Sequence, residues 1–211
     1  MTTNEEDDVL EGCAGLPIKA AMHPFSVDFL AGCKKFAELA KQTDSEKEVM
    51  IYSTSSIVNA ACYLEAKLNE EIAISRMFFN ECSREGKRWG EIKESERHTS
   101  VPEKWNRISS LTGGRKWSHG EAPFQSFETI TSLRNELVHY KGDLLGKDEA
   151  PSRRIEALMR QLGIKSEASW GEDECSSWVT DLLSIPDVAR WVAVKITSFD
   201  RQYYDLMHRK P

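Results

Sequence analysis

Apolar residues recur at three- and four-residue steps along most of the chain, the spacing of helices that bury one face. Phe25, Phe29, Cys33, Phe36 and Ala40 mark a first helix over about Ser26 to Lys41. Ser45 and Glu48 have capping-box spacing just before Val49, and Ile57, Ala61, Leu64, Leu68 and Ile72 follow. These predict an unusually long second helix reaching about Asn80. Residues 83–103 are polar, contain Gly86 and Gly90, and read as a connection. Trp105, Ile108 and Leu111 predict a helix near Pro102–Leu111, stopped by Gly113-Gly114. Pro123 opens the next, with Phe124, Phe127, Ile130, Leu133 and Leu137 on one side and Gly142 as its stop. Residues 143–185 look irregular, with short helical candidates at 153–162 and 176–184. A last helix starts near Pro186 and carries Val188, Trp191, Val192, Ile196, Phe199, Tyr203 and Leu206.

Strand-like alternation is nearly missing, and its best example, Val192-Ala193-Val194, sits inside a helical period. The expected fold is all-α, an up-and-down bundle of four to five main helices. Residues 1–22 read as a loosely attached segment and 23–211 as one domain, with irregular insertions at 83–103 and 143–185.

Composition narrows the function classes. With 211 residues, six Trp and eight Phe, the chain can bury a core without disulfides or a structural metal. Five Cys without a C-x-x-C pair point to neither a disulfide framework nor a zinc site. No apolar run suits a bilayer, and the acidic start is unlike a signal peptide, so a cytoplasmic protein away from membranes is expected. Glu5, Glu6, Asp7, Asp8 and Glu11 supply five of the six net negative charges, leaving the remainder at −1. A broad basic footprint for duplex DNA is therefore absent. A single RNA strand handled at one local site remains compatible.

Chemistry concentrates in Ser132-Leu133-Arg134-Asn135-Glu136-Leu137-Val138-His139-Tyr140-Lys141-Gly142. With Arg134 at zero and roughly 100° per residue, Val138 falls at about 40°, Asn135 at about 100° and His139 at about 140°. Ile130, Leu133, Leu137 and Tyr140 fall between about 240° and 320°, the core side. Val138 inside the polar sector suggests cover by a second subunit. An imidazole can move a proton at neutral pH, a guanidinium can hold a phosphate and its transition-state charge, and an amide can orient either. Together they could cut RNA with no metal or cofactor, using the neighbouring 2′-hydroxyl as nucleophile. DNA lacks that hydroxyl. Two copies across a two-fold axis would bring two imidazoles into one cleft, a base and an acid. Spacing alone is unspecific: Arg201 and His208 form a similar pair, read as a structural feature of a helix end.

The surroundings sharpen the picture. Leu133-Arg134-Asn135-Glu136-Leu137-Val138-His139 resembles the R-N-x-x-x-H motif of HEPN domains. Ala60-Ala61-Cys62-Tyr63-Leu64-Glu65-Ala66-Lys67-Leu68-Asn69-Glu70 is similar to that family's first long helix. The likeness covers roughly residues 44–145 and the last helix. It implies a helical bundle that dimerises and, in many members, a metal-independent endoribonuclease of toxin–antitoxin or phage-defence systems. On that resemblance Arg134 and His139 would be catalytic, Asn135 would support them, and an antitoxin protein becomes a candidate partner. In the branch neutralised by small nucleotidyltransferases a modified Tyr stands two positions after the His. Here Tyr140 is adjacent and Lys141 holds that place. The family also has inactive members, so a non-catalytic module binding a protein partner or nucleotide is the alternative.

Glu65, Asn69 and Tyr140 are supporting candidates. Glu65 either pairs with Arg134 or faces water, and Asn69 either bonds the motif helix or is exposed. Lys104, Arg107, Arg115 and Lys116 flank Trp105 and Trp117, and Lys141 follows the motif. Arg84, Lys87, Arg88 and Lys93 surround Trp89, diluted by glutamates. Bases between aromatics suit single-stranded RNA, while a solvated face is the plain reading. His98 and His119 lack a matching ligand set.

Overall fold

The computed structural model describes residues 23–80, 82–95, 98–139, 151–165 and 177–208. Among these, eight helices occur and no strand: α1 (Phe25–Gln42), α2 (Glu46–Phe78), α3 (Arg84–Ser95), α4 (Val101–Thr112), α5 (Phe124–Val138), α6 (Arg153–Gln161), α7 (Trp178–Leu183) and α8 (Pro186–Met207). The fold is all-α. The five main helices expected from periodicity are α1, α2, α4, α5 and α8.

The 33-residue α2 is the central post, in contact with α1, α3, α4, α5, α7 and α8. Its start follows the expected signal: Ser45 Oγ accepts from the Glu48 N–H. The box is only half closed, because the Glu48 carboxylate accepts from Thr43 Oγ1 instead. α1 lies along α2, with Cys33 Sγ against Ser56 Oγ, while its Ala37 and Ala40 cluster with Ala189 of α8 and Tyr52 of α2. Approach is so close that a Cβ on Gly32 would stand 2.6 Å from Asn59 Oδ1. At the other end the Ser26 N–H donates to Glu70 Oε1 at 2.8 Å, tying the first turn of α1 to α2.

The core is largely aromatic. Trp105 meets Trp117, Phe124, Phe199 and Tyr203 edge-on, at centroid distances between 5.3 and 5.8 Å. Each such ring removes about 150–250 Å² from water, worth roughly 4–6 kcal/mol before conformational entropy is subtracted. The Trp105 Nε1–H donates to the Arg115 carbonyl at 2.8 Å, and Asn106 Oδ1 accepts from the Trp117 N–H at 2.7 Å. These bonds fasten the segment between α4 and α5 onto α4.

Two expectations are corrected. Residues 84–95, read as part of a connection, form α3. Gly86, Trp89 and Ile92 are buried at three-residue steps, and Ser83 Oγ accepts from the Gly86 N–H. Only two apolar side chains mark that face, and the flanking glycines mask it. The motif helix α5 ends at Val138, before Gly142, with His139 as its C-cap donating its N–H to the Asn135 carbonyl. Gly142 lies outside the described residues. The short candidates at 153–162 and 176–184 correspond to α6 and α7, the latter opened by a reciprocal box between Ser177 and Thr180.

Candidate functional site

The C-terminal half of α5 divides as the helical projection requires. Ile130 and Leu133 are buried, and Leu137 packs against the core. Asn135 and His139 are exposed, and Val138 is 55% exposed. Arg134 is half-buried. Its charge acts on the Cys62 thiol of α2, whose pKa burial raises, the guanidinium lowers and Glu65 raises. The Arg134 charge is thus felt at Cys62 of α2, while His139 is exposed at the C-terminal end of α5. Among the described residues no hydrogen bond joins the side chains of Arg134, Asn135 and His139.

Cys62, Glu65 and Asn69 line a groove of about 610 Å³ between α2 and the start of α1, with His23, Phe25 and Phe29 opposite. Glu65 is exposed and has no ion pair among the described residues. Asn69 does neither of the things expected of it: its Oδ1 accepts from Lys104 Nζ at 2.8 Å, so it holds α4 rather than α5.

That bond also corrects the proposed RNA surface. Lys104 is 2% exposed, its stem sunk in the core, and is not available to a polynucleotide. Trp89, Trp105 and Trp117 are buried as well, which removes the aromatic platforms for stacked bases. Arg107 is half-buried, bonded to Ser95 Oγ and Glu103. Arg115 is exposed but paired with Glu121. Lys116 is exposed. Tyr140 and Lys141 lie outside the described residues.

Two polar clusters escaped the sequence reading. In the first, Glu128 on α5 is 8% exposed and takes three donors. Trp117 Nε1 donates to Oε1 at 2.9 Å, His119 Nδ1 shares that oxygen, and Arg154 Nη2 reaches Oε2 at 2.7 Å. Burial by itself would raise the carboxyl's pKa. The hydrogen bonds from Trp117 and His119 and the Arg154 charge outweigh it and hold the group below the ordinary glutamate range. The available signal was a lone carboxylate among Phe124, Phe127 and Ile130, where an unpaired charge is very costly. In the second, Asp200 on α8 accepts from the Tyr63 hydroxyl and from Lys67 Nζ at 3.1 Å, beneath a Lys67 ammonium 4.8 Å from the Tyr203 ring. Again the donors outweigh burial and hold Asp200 low, and burial with the Asp200 bond pushes Tyr63 up.

A larger groove, about 780 Å³, runs between α1 and α8 and carries Lys34, Lys41, Arg190 and Arg201. Of the residues weighed for chemistry in the sequence it carries Arg201, which was read there as part of a helix end, and none of the motif residues. Among the described residues no group of three or more His, Cys, Asp or Glu could hold a metal ion, and no helix is long and apolar enough to cross a membrane. Compared with known proteins, the chain matches no family model, no curated protein and no solved structure.

Proposed function

We propose that this chain is a HEPN-like endoribonuclease that acts as a homodimer on single-stranded RNA, in a cytoplasmic stress, toxin–antitoxin or phage-defence setting. The observation that carries the reading is the two-sided end of α5. Leu133 is buried, while Asn135, Val138 and His139 are open to a partner or a strand, and Arg134 sits half-buried beside them.

The chemistry needs only what such a face supplies. One imidazole removes the 2′-hydroxyl proton, and that oxygen bonds to the adjacent phosphorus. The bond from phosphorus to the 5′ oxygen breaks, and the leaving oxygen takes a proton from the imidazole of the second copy. The products are a 2′,3′-cyclic phosphate and a 5′-hydroxyl. Arg134 holds the phosphate and the charge that grows on it, and Asn135 positions the strand. Incubating the purified protein with RNA in EDTA, with His139→Ala beside it, tests the assignment.

A second reading draws on a different observation: Arg134 is half-buried, with its charge felt at Cys62 of α2, while His139 is exposed and no hydrogen bond joins the two among the described residues. On that reading α5 presents a non-catalytic surface for a protein partner or a nucleotide. Its signature is absent cleavage at any enzyme concentration, with assembly lost on changing Arg134 or Val138.

A further inference from the structure

The cluster around Glu128 has an outward side that the cleavage scheme does not use. An ionised carboxylate only accepts hydrogen bonds, so His119 Nδ1 must carry the proton it shares with Glu128. That fixes the neutral ring in the tautomer whose Nε2 bears the lone pair. The His119 side chain is 71% exposed, so this acceptor faces solvent. Arg154 commits one nitrogen to the other carboxylate oxygen, and its side chain is 50% exposed. In its neutral form the ring thus offers a hydrogen-bond acceptor of fixed direction next to a guanidinium with donors to spare. Trp117, the third donor to Glu128, is buried and locks the carboxylate in place.

Placement links this cluster to the motif. Glu128 precedes His139 by eleven residues, so at about 1.5 Å and 100° per residue they lie roughly 16 Å apart along α5 and within about 20° around it. Asn135 falls on the same face. A strand lying along that face would pass from one site to the other within a few nucleotides.

We propose that His119 and Arg154, positioned by Glu128, form a ribonucleotide subsite: His119 Nε2 accepts the hydrogen of a 2′-hydroxyl, and Arg154 holds the adjoining phosphate. The 2′-hydroxyl is the group by which a protein tells RNA from DNA at one position. The subsite rests on the reading of the chain as an RNA-handling protein. It adds a strand contact remote from the cleavage chemistry.

The experiment uses the full chain carrying His139→Ala, which keeps the strand intact. Fluorescence anisotropy compares a short labelled single-stranded RNA with DNA of the same sequence at low salt. The expected result is RNA binding about tenfold tighter than DNA, the worth of one good hydrogen bond. Adding His119→Ala should bring RNA down to the DNA level and leave DNA unchanged, whereas Arg154→Gln should weaken both. A preference that survives His119→Ala, or no binding of either strand, overturns the subsite. Nitrogen NMR of the unsubstituted ring needs no variant: the Nδ1-protonated tautomer should dominate, and RNA but not DNA should shift Nε2. Cleavage by the unaltered chain, together with an RNA preference that His119→Ala leaves unchanged, would remove this subsite and leave the nuclease reading standing.

Discussion

Lys104 Nζ donates to Asn69 Oδ1 at 2.8 Å inside the bundle, joining α4 to the central helix. A buried ammonium whose one hydrogen-bond partner among the described residues is an amide depends heavily on it. Asn69→Ala leaves the charge without that acceptor and should cost about 2–3 kcal/mol in urea denaturation. Lys104→Met has similar volume and no charge to desolvate, and should cost less, roughly 1.5 kcal/mol at most. The reverse order would show that Lys104 finds its stabilisation elsewhere.

Glu128 makes stability depend on pH with a definite sign. Its carboxyl titrates lower in the folded chain than its ordinary value of 4.5. The stabilisation is therefore fully present above the unfolded value and is lost as pH falls through the lower folded value. Glu128→Gln should cost roughly 1–3 kcal/mol at pH 7, and the gap from the unaltered chain should narrow on acidification below about pH 4.5. Denaturant midpoints measured across that range check it, and a constant gap would contradict it.

Gly114 lies where the α4–α5 segment crosses the end of α8. A Cβ there would stand 2.1 Å from the Met207 carbonyl oxygen and 2.7 Å from that of Leu206. Both obstacles are backbone, and the same stretch is held by the Arg115 N–H donating to the Leu206 carbonyl at 2.6 Å. Gly114→Ala should lower stability by about 3 kcal/mol, or roughly 6–12 °C in Tm. Gly90, with open space around it, should tolerate the same change far better.

Val138 tests assembly. It is exposed on the isolated chain, so Val138→Glu should leave folding within about 0.5 kcal/mol of the original. Sedimentation should find the original chain dimeric and the variant monomeric. A monomer in both cases contradicts a shared cleft.

The helices that bury long, evenly spaced stripes were legible in the sequence. Val188 through Leu206 on α8 and Ile57 through Ile72 on α2 are such stripes, and Ser45 marked the start of α2 correctly. α3 was hidden because its inward face needs only Trp89, Ile92 and a glycine, too few residues to register as a period. At the site, the projection placed Leu133 inward and His139 outward, as observed. It said nothing about partners across helices. Asn69 was weighed against α5 and turned to α4, because a pattern along one helix cannot reveal a lysine arriving from another. Trp89, Trp105 and Trp117 looked like stacking platforms beside basic residues, but a large apolar ring joins the core whenever a neighbouring helix can cover it. Glu128 went unnoticed since its donors come from the segment before α5 and from α6, outside the periodicity of its own helix.

The most direct measurement is cleavage of single-stranded RNA by the purified full chain in EDTA, with fragment ends resolved. The expected result is fragments with a 5′-hydroxyl and a cyclic or 3′ phosphate, reduced at least about a hundredfold by His139→Ala, since positioned acid–base catalysis is worth roughly 10²–10⁴, and no cutting of DNA. Cleavage at an unchanged rate in His139→Ala, or none at any concentration of the original chain, would contradict the assignment of α5 as the catalytic helix.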